Sequence, residues 1–126
     1  MTILAVDNKN LMLNRLCRHI KQIKPDSLVV SFKNPADALA YMENHTVDVV
    51  FLEMMLQKMM GIELARQMQQ INPHVNIIFT SSYSNYMYEA MSEIRCSGFI
   101  VKPVTTEKIK RELEDLRHPI ECNALY

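Results

Sequence analysis

Four stretches of this sequence carry side chains able to do chemistry, and each lies at the end of an apolar run. Asp7-Asn8 follows Thr2–Val6, and Glu53 follows Val47–Leu52. Thr80-Ser81-Ser82 closes the run that begins at Val75, and Lys102-Pro103 follows Gly98–Val101. Acids, a hydroxyl and a lysine in one crevice are what transfer of a phosphoryl group needs, since that reaction depends on positioning and on neutralising charge. The same groups have plainer uses. Lys102 can form a structural ion pair with Glu53, Asp7 can cap the helix that follows it, and Ser81 can satisfy backbone groups in a turn.

For these residues to meet, the runs that precede them must be strands of one sheet. The runs Thr2–Val6, Leu28–Phe32, Val47–Leu52, Val75–Thr80 and Gly98–Val101 are nearly continuous in Val, Ile, Leu and Phe, as expected of strands buried on both faces. Helical patterns separate them. The first carries Leu13, Leu16, Cys17, Ile20 and Ile23 and stops before Pro25. The second opens with Asn34-Pro35, a capping residue and a proline at the first helical position, and turns Leu39 and Met42 inward. The third runs from Gly61 to about Ile71 with Leu64, Ala65, Met68 and Ile71 as its stripe, the fourth spans roughly Asn85 to Ile94, and the fifth begins after Thr105 with Ile109, Leu113 and Leu116. Strict alternation predicts an α/β fold, a doubly wound five-stranded parallel sheet with right-handed crossovers. Its ligand site lies outside the carboxyl ends of the strands, where all four stretches end.

Composition excludes several classes. Fourteen basic residues balance fourteen acidic ones, so direct nucleic-acid binding by this chain is not expected. No apolar run approaches the roughly 20 residues of a membrane span, and the strand-like start predicts no signal peptide. Cys17, Cys96 and Cys122 are too few and too scattered for a disulfide framework or zinc site. Their odd number fits a reducing cytoplasm, and Cys17 reads as core. His19, His45, His74 and His118 read as isolated surface residues.

The landmarks ILAVDN, VDVVFLE…GIELA, NIIFTSSY and GFIVKPV stand in an order and spacing that resemble the receiver domain of bacterial two-component response regulators. The resemblance covers Ile3 to about Leu116. It implies a flavodoxin-like, CheY-like (βα)5 domain over residues 1–117. The remaining 118–126 reads as a fraying tail or as the stub of a linker to an absent effector domain. It also implies roles. Asp7 and Asn8 match the acidic pair that holds Mg²⁺, with the Met55 carbonyl as a further ligand. Glu53 matches the phosphoacceptor aspartate, Ser81 the hydroxyl that hydrogen-bonds the phosphoryl group, and Lys102 the lysine that pairs with it, ahead of an often cis Pro103. Phe99 matches an aromatic whose rotamer reports activation, although its lack of a hydroxyl also suits plain core.

Three positions depart from the family. Asn8 replaces the second acid, Glu53 replaces the nucleophile, and Gln57 stands where proline often follows the acceptor loop. Mg²⁺ demands near-octahedral oxygen placement, so a neutral Asn8 leaves at most a weak site, and no cofactor is expected. One extra methylene at Glu53 is large against an attack distance of about 3–3.5 Å. It also carries the carboxylate toward Lys102 and Ser81, as a partial mimic of a phosphoryl group with one negative charge instead of about 1.5–2.

The sequence therefore reads as a non-enzymatic signalling module, a pseudo-receiver acting through protein contacts on an output such as transcription. The alternatives are a working receiver with weak Mg²⁺-dependent chemistry and a flavodoxin-like cofactor protein. The last would need a phosphate-cradling loop, and Asp7-Asn8-Lys9-Asn10 has no glycine. Partners implied are a sensor kinase or other signalling protein and an effector domain. The fourth helix carries surplus Tyr86, Met87, Tyr88 and Met91, a candidate contact patch; the alternative is a helix that is simply well buried. In the family, the fourth helix, fifth strand and fifth helix mediate homodimerisation, which would place Phe99 in the interface and Lys108, Arg111, Glu112, Glu114 and Asp115 on its rim.

Overall fold

The computed structural model describes residues 1–120; Cys122 and the end of the tail lie outside them. The elements are β1 (Thr2–Val6), α1 (Asn10–Ile23), β2 (Leu28–Phe32), α2 (Pro35–Asn44), β3 (Val49–Glu53), α3 (Gly61–Ile71), β4 (Asn76–Ser81), α4 (Met87–Glu89) running into a π-helical turn (Ala90–Ile94), β5 (Gly98–Val101) and α5 (Thr106–Glu114). The strands form one parallel sheet in the order β2-β1-β3-β4-β5, which is the expected doubly wound architecture.

Local chemistry sets the helix ends. The Asn34 side chain accepts from the Ala36 N–H at 2.9 Å, and Thr105 Oγ1 accepts from the Lys108 N–H at 3.2 Å. Both satisfy first-turn donors that a helix cannot satisfy itself. The Lys24 N–H closes α1 on the Ile20 carbonyl at 2.8 Å, one residue before Pro25.

Two apolar layers cover the sheet. Ile3, Ala5, Phe51, Ile78 and Ile100 pack under α1 and α5, against Leu13, Leu16, Ile20, Ile109 and Leu113. Leu4, Val6, Leu52, Ile77 and Phe79 pack under α2, α3 and the π turn, against Met42, Leu64, Met68 and Ile94. Side chains alternate between the faces of a strand. That parity carries Asp7, Glu53, Thr80 and Lys102 to the α1/α5 side, and Ser81 to the other.

Several expectations need correction. β2 is an edge strand with Leu28 57% exposed, not a strand buried on both faces. β3 begins at Val49 and includes Glu53, and β4 begins at Asn76 and includes Ser81. Ile71 faces solvent, Leu116 lies beyond α5, and Leu39 is only half-buried while its neighbour Ala38 is fully buried. Cys17 is half-buried at the edge of the α1/α5 layer, whereas Cys96 is buried and burial pushes its thiol up to about 11. Three of the four histidines are not isolated: His45 stacks on Tyr41 with centroids 3.9 Å apart, and His74 lies 5.1 Å from His118.

The expected fourth helix is the most altered element. It has three α-helical residues before the π turn and ends at Arg95 in the left-handed conformation, φ 57°. At the opposite rim of the sheet, buried Asn76 holds the tail. Its Nδ2 donates to the His118 carbonyl at 2.8 Å, and its Oδ1 accepts from the His118 N–H and from Ser97 Oγ, both at 2.7 Å.

Candidate functional site

The site forms where β1, β3, β4 and β5 end together. Glu53 is the last residue of β3, and the loop after it folds back tightly enough that Gly61 N–H donates to the Met54 carbonyl at 2.6 Å. A Cβ at residue 61 would run into the Glu53 carbonyl oxygen, so glycine is what lets this loop close over the strand end. Lys102 follows β5 and is joined to Pro103 by a cis peptide bond.

Three of the predicted residues meet directly. Lys102 Nζ lies 2.6 Å from Glu53 Oε2 and 3.3 Å from Asp7 Oδ2. Both acids are nearly fully buried, with residue exposures of 7% for Glu53 and 2% for Asp7. Burial alone would push the Lys102 ammonium down. The hydrogen bond and charge of Glu53, joined by Asp7, outweigh it and raise its pKa above the ordinary value.

The predicted hydroxyl is not in this contact. Ser81 is buried on the other face, and its Oγ accepts from the Tyr83 N–H at 3.0 Å, which is the turn role weighed above. Thr80 Oγ1 donates to Glu53 Oε2 at 3.3 Å instead. Thr80 pairs with Glu53 across the β3–β4 register, and the odd–even parity of the strand was the signal that could have singled it out. Asp7 Oδ1 accepts from the Lys9 N–H at 2.9 Å, so Asp7 also tethers the entry to α1. Phe99 is half-buried and packs at 6.2 Å from Phe79.

The donor set fits Mg²⁺ poorly. Every carboxylate oxygen already accepts a hydrogen bond: Asp7 from Lys9 and Lys102, Glu53 Oε1 from the Met55 N–H at 3.4 Å, and Oε2 from Lys102 and Thr80. Asn8 Oδ1 is buried without a partner, but it is neutral. Among the described residues no group of three His, Cys, Asp or Glu is placed to hold a metal. The cation between the two acids is the lysine.

Residues 3–114 match the family described as the response regulator receiver domain. The chain belongs to that family. Among curated relatives, a response regulatory protein of Vibrio cholerae is 28% identical over 97% of this chain and 47% of its own length. The sensory transduction protein LytR of Staphylococcus haemolyticus is 27% identical over 95% of this chain and 46% of its own. This receiver thus spans about half the length of the curated relatives it matches. Among solved structures, the response regulatory domain of mrkE from Klebsiella pneumoniae superposes with a TM-score of 0.81 at 25% identity, covering 92% of this chain and 94% of that one.

The receiver's fourth-helix face is exposed, not well buried. Tyr88 is 83% exposed and Met91 50%, with Met87 and Tyr83 also open, while Tyr86 is half-buried against the core. The expected rim is only partly present. Arg111 is exposed, but Lys108 Nζ turns onto the Val101 and Pro103 carbonyls at 2.9 and 3.0 Å. Glu112 is half-buried beside Gly98; burial first, then Asp115, holds its carboxyl above the usual range. No helix among the described residues is long and apolar enough to cross a membrane.

Proposed function

We propose that this chain is a pseudo-receiver in which Glu53 supplies a fixed charge where an acceptor aspartate would carry a transient one. The observation that supports this reading is the 2.6 Å contact between Glu53 and Lys102. The lysine that would neutralise a phosphoryl group is already committed to a side chain built into the strand. Such a module works by contact and conformation, not by turnover. Its upstream partner is a sensor kinase or another signalling protein, and its output partner an effector domain. Relatives with names such as sensory transduction protein and transcriptional regulatory protein are about twice as long as this chain, which favours transcription as the output and the cytoplasm as the setting. The exposed Tyr88–Met91 face is the surface we assign to homodimer contact.

The test is labelling with radioactive acetyl phosphate in Mg²⁺. The expected result is no stoichiometric label on the natural protein and label on Glu53→Asp. Stoichiometric label on Glu53 itself would overturn the reading. A second reading, a weak metal-dependent acceptor, draws on the unpartnered Asn8 Oδ1. It requires Lys102 to release Asp7, and slow Mg²⁺-dependent label on Glu53 would favour it.

A further inference from the structure

A cavity of about 350 Å³ opens beside the acid–lysine cluster and extends away from it, between α1 and the loops after β4 and β5. Its size falls at the small end of the range for ligand pockets, about 300–1,000 Å³. Asp7, Thr80 and Lys102 form its inner wall, and the rest comes from residues without a part in the cluster. Met12, Leu16, Pro103 and Val104 make that outer part largely apolar. Arg15, His19 and Ser82 add a few polar groups, which is the usual make-up of a small-molecule site.

Two observations indicate what the cavity would take. Arg15 makes no ion pair among the described residues. His19 Nδ1 is buried with no protein partner, an uncommon state for a buried polar atom. A guanidinium is suited to bind a carboxylate through two parallel hydrogen bonds. Lys102 is already engaged by two acids, and the Asp7 carboxylate lines the same wall, so the available positive charge matches a monoanion better than a phosphate dianion.

We propose that this cavity binds a small organic carboxylate with a compact apolar body, its charge on Arg15 and its body against Met12, Leu16 and Val104. Because Asp7 and Lys102 line the inner wall, an occupant would touch two members of the acid–lysine cluster, one of them the lysine that also holds Glu53. Binding itself does not depend on whether Glu53 accepts phosphate.

The experiment is an ¹⁵N NMR titration of the full chain with benzoate and, separately, with the uncharged isostere benzamide, without phosphodonor. Benzoate should shift the amides of Arg15, His19, Ser82 and Val104 saturably. Benzamide, and benzoate on Arg15→Glu, should each bind at least about tenfold more weakly, since a single charge-assisted hydrogen bond is already worth that much. Arg15 is exposed, so this variant should keep the natural spectrum elsewhere. Val104→Trp, which fills the cavity, should abolish the shifts. The proposal is overturned by the absence of saturable shifts, by equal affinity for benzoate and benzamide, by retained binding in Val104→Trp, or by shifts confined to Met87–Met91.

Discussion

Lys102 Nζ stands between Glu53 Oε2 at 2.6 Å and Asp7 Oδ2 at 3.3 Å, one ammonium serving two buried carboxylates. Removing it strands both anions. Breaking a buried pair from one side costs about 3–5 kcal/mol because the remaining charge is uncompensated. Lys102→Met is therefore expected to lose stability on that scale at pH 7, measured by urea denaturation. A loss under about 1 kcal/mol, the level of an exposed pair, would show that the acids find other partners.

The same pair fixes a pH window. Lys102 is raised above its ordinary 10.5 in the folded chain. A raised base adds stability that is complete below the unfolded pKa and is lost as pH rises through the folded one. The stability gap between natural protein and Lys102→Met should stay level from about pH 7 to 10 and shrink above that. A gap that widens with alkali would contradict the sign.

Thr80 and Ser81 separate by face. Thr80→Val removes the hydroxyl that donates to Glu53 and should cost about 1 kcal/mol, the net worth of such a bond. Ser81→Ala removes the acceptor for the Tyr83 N–H and should disturb the chain after β4 instead. Amide exchange reports the difference: faster exchange at Tyr83 is expected in the second variant only.

Gly61→Ala tests the closure of the acid loop. The new methyl meets backbone, the Glu53 carbonyl, which cannot rotate away. The expected cost is about 1–3 kcal/mol, as for other overpacked positions, with a lowered Tm. An unchanged Tm would mean that the β3–α3 loop can shift without strain.

Tyr88 is 83% exposed, so Tyr88→Glu should leave the fold's stability within about 0.5 kcal/mol. If the fourth-helix face joins two receivers, sedimentation should show a lower average mass for this variant. The same mass as the natural protein would count against that surface.

The fold was legible in the sequence because the strands needed no context. Runs such as Val49–Glu53 are apolar on every residue until the acid, and Asn34-Pro35 and Thr105 announce their helices by local chemistry. Asp7, Glu53 and Lys102 were legible as strand-end residues. Thr80 was not, because the resemblance pointed to its neighbour and only register places it beside Glu53. β2 looked like an inner strand because its composition matched the others; strand order puts it at the edge, where it pairs with β1 alone. The π turn had no sequence mark, since its buried residues Ala90 and Ile94 stand at an i, i+4 spacing that reads equally as α-helix.

The Asn76 clasp gives β4, an inner strand between β3 and β5, two ends with different duties. At one end Thr80 touches the buried charge, and at the other Asn76 grips His118 by both its N–H and its carbonyl. A single strand thus spans both contacts, the buried charge at its carboxyl tip and the hold on the chain after α5 at its root.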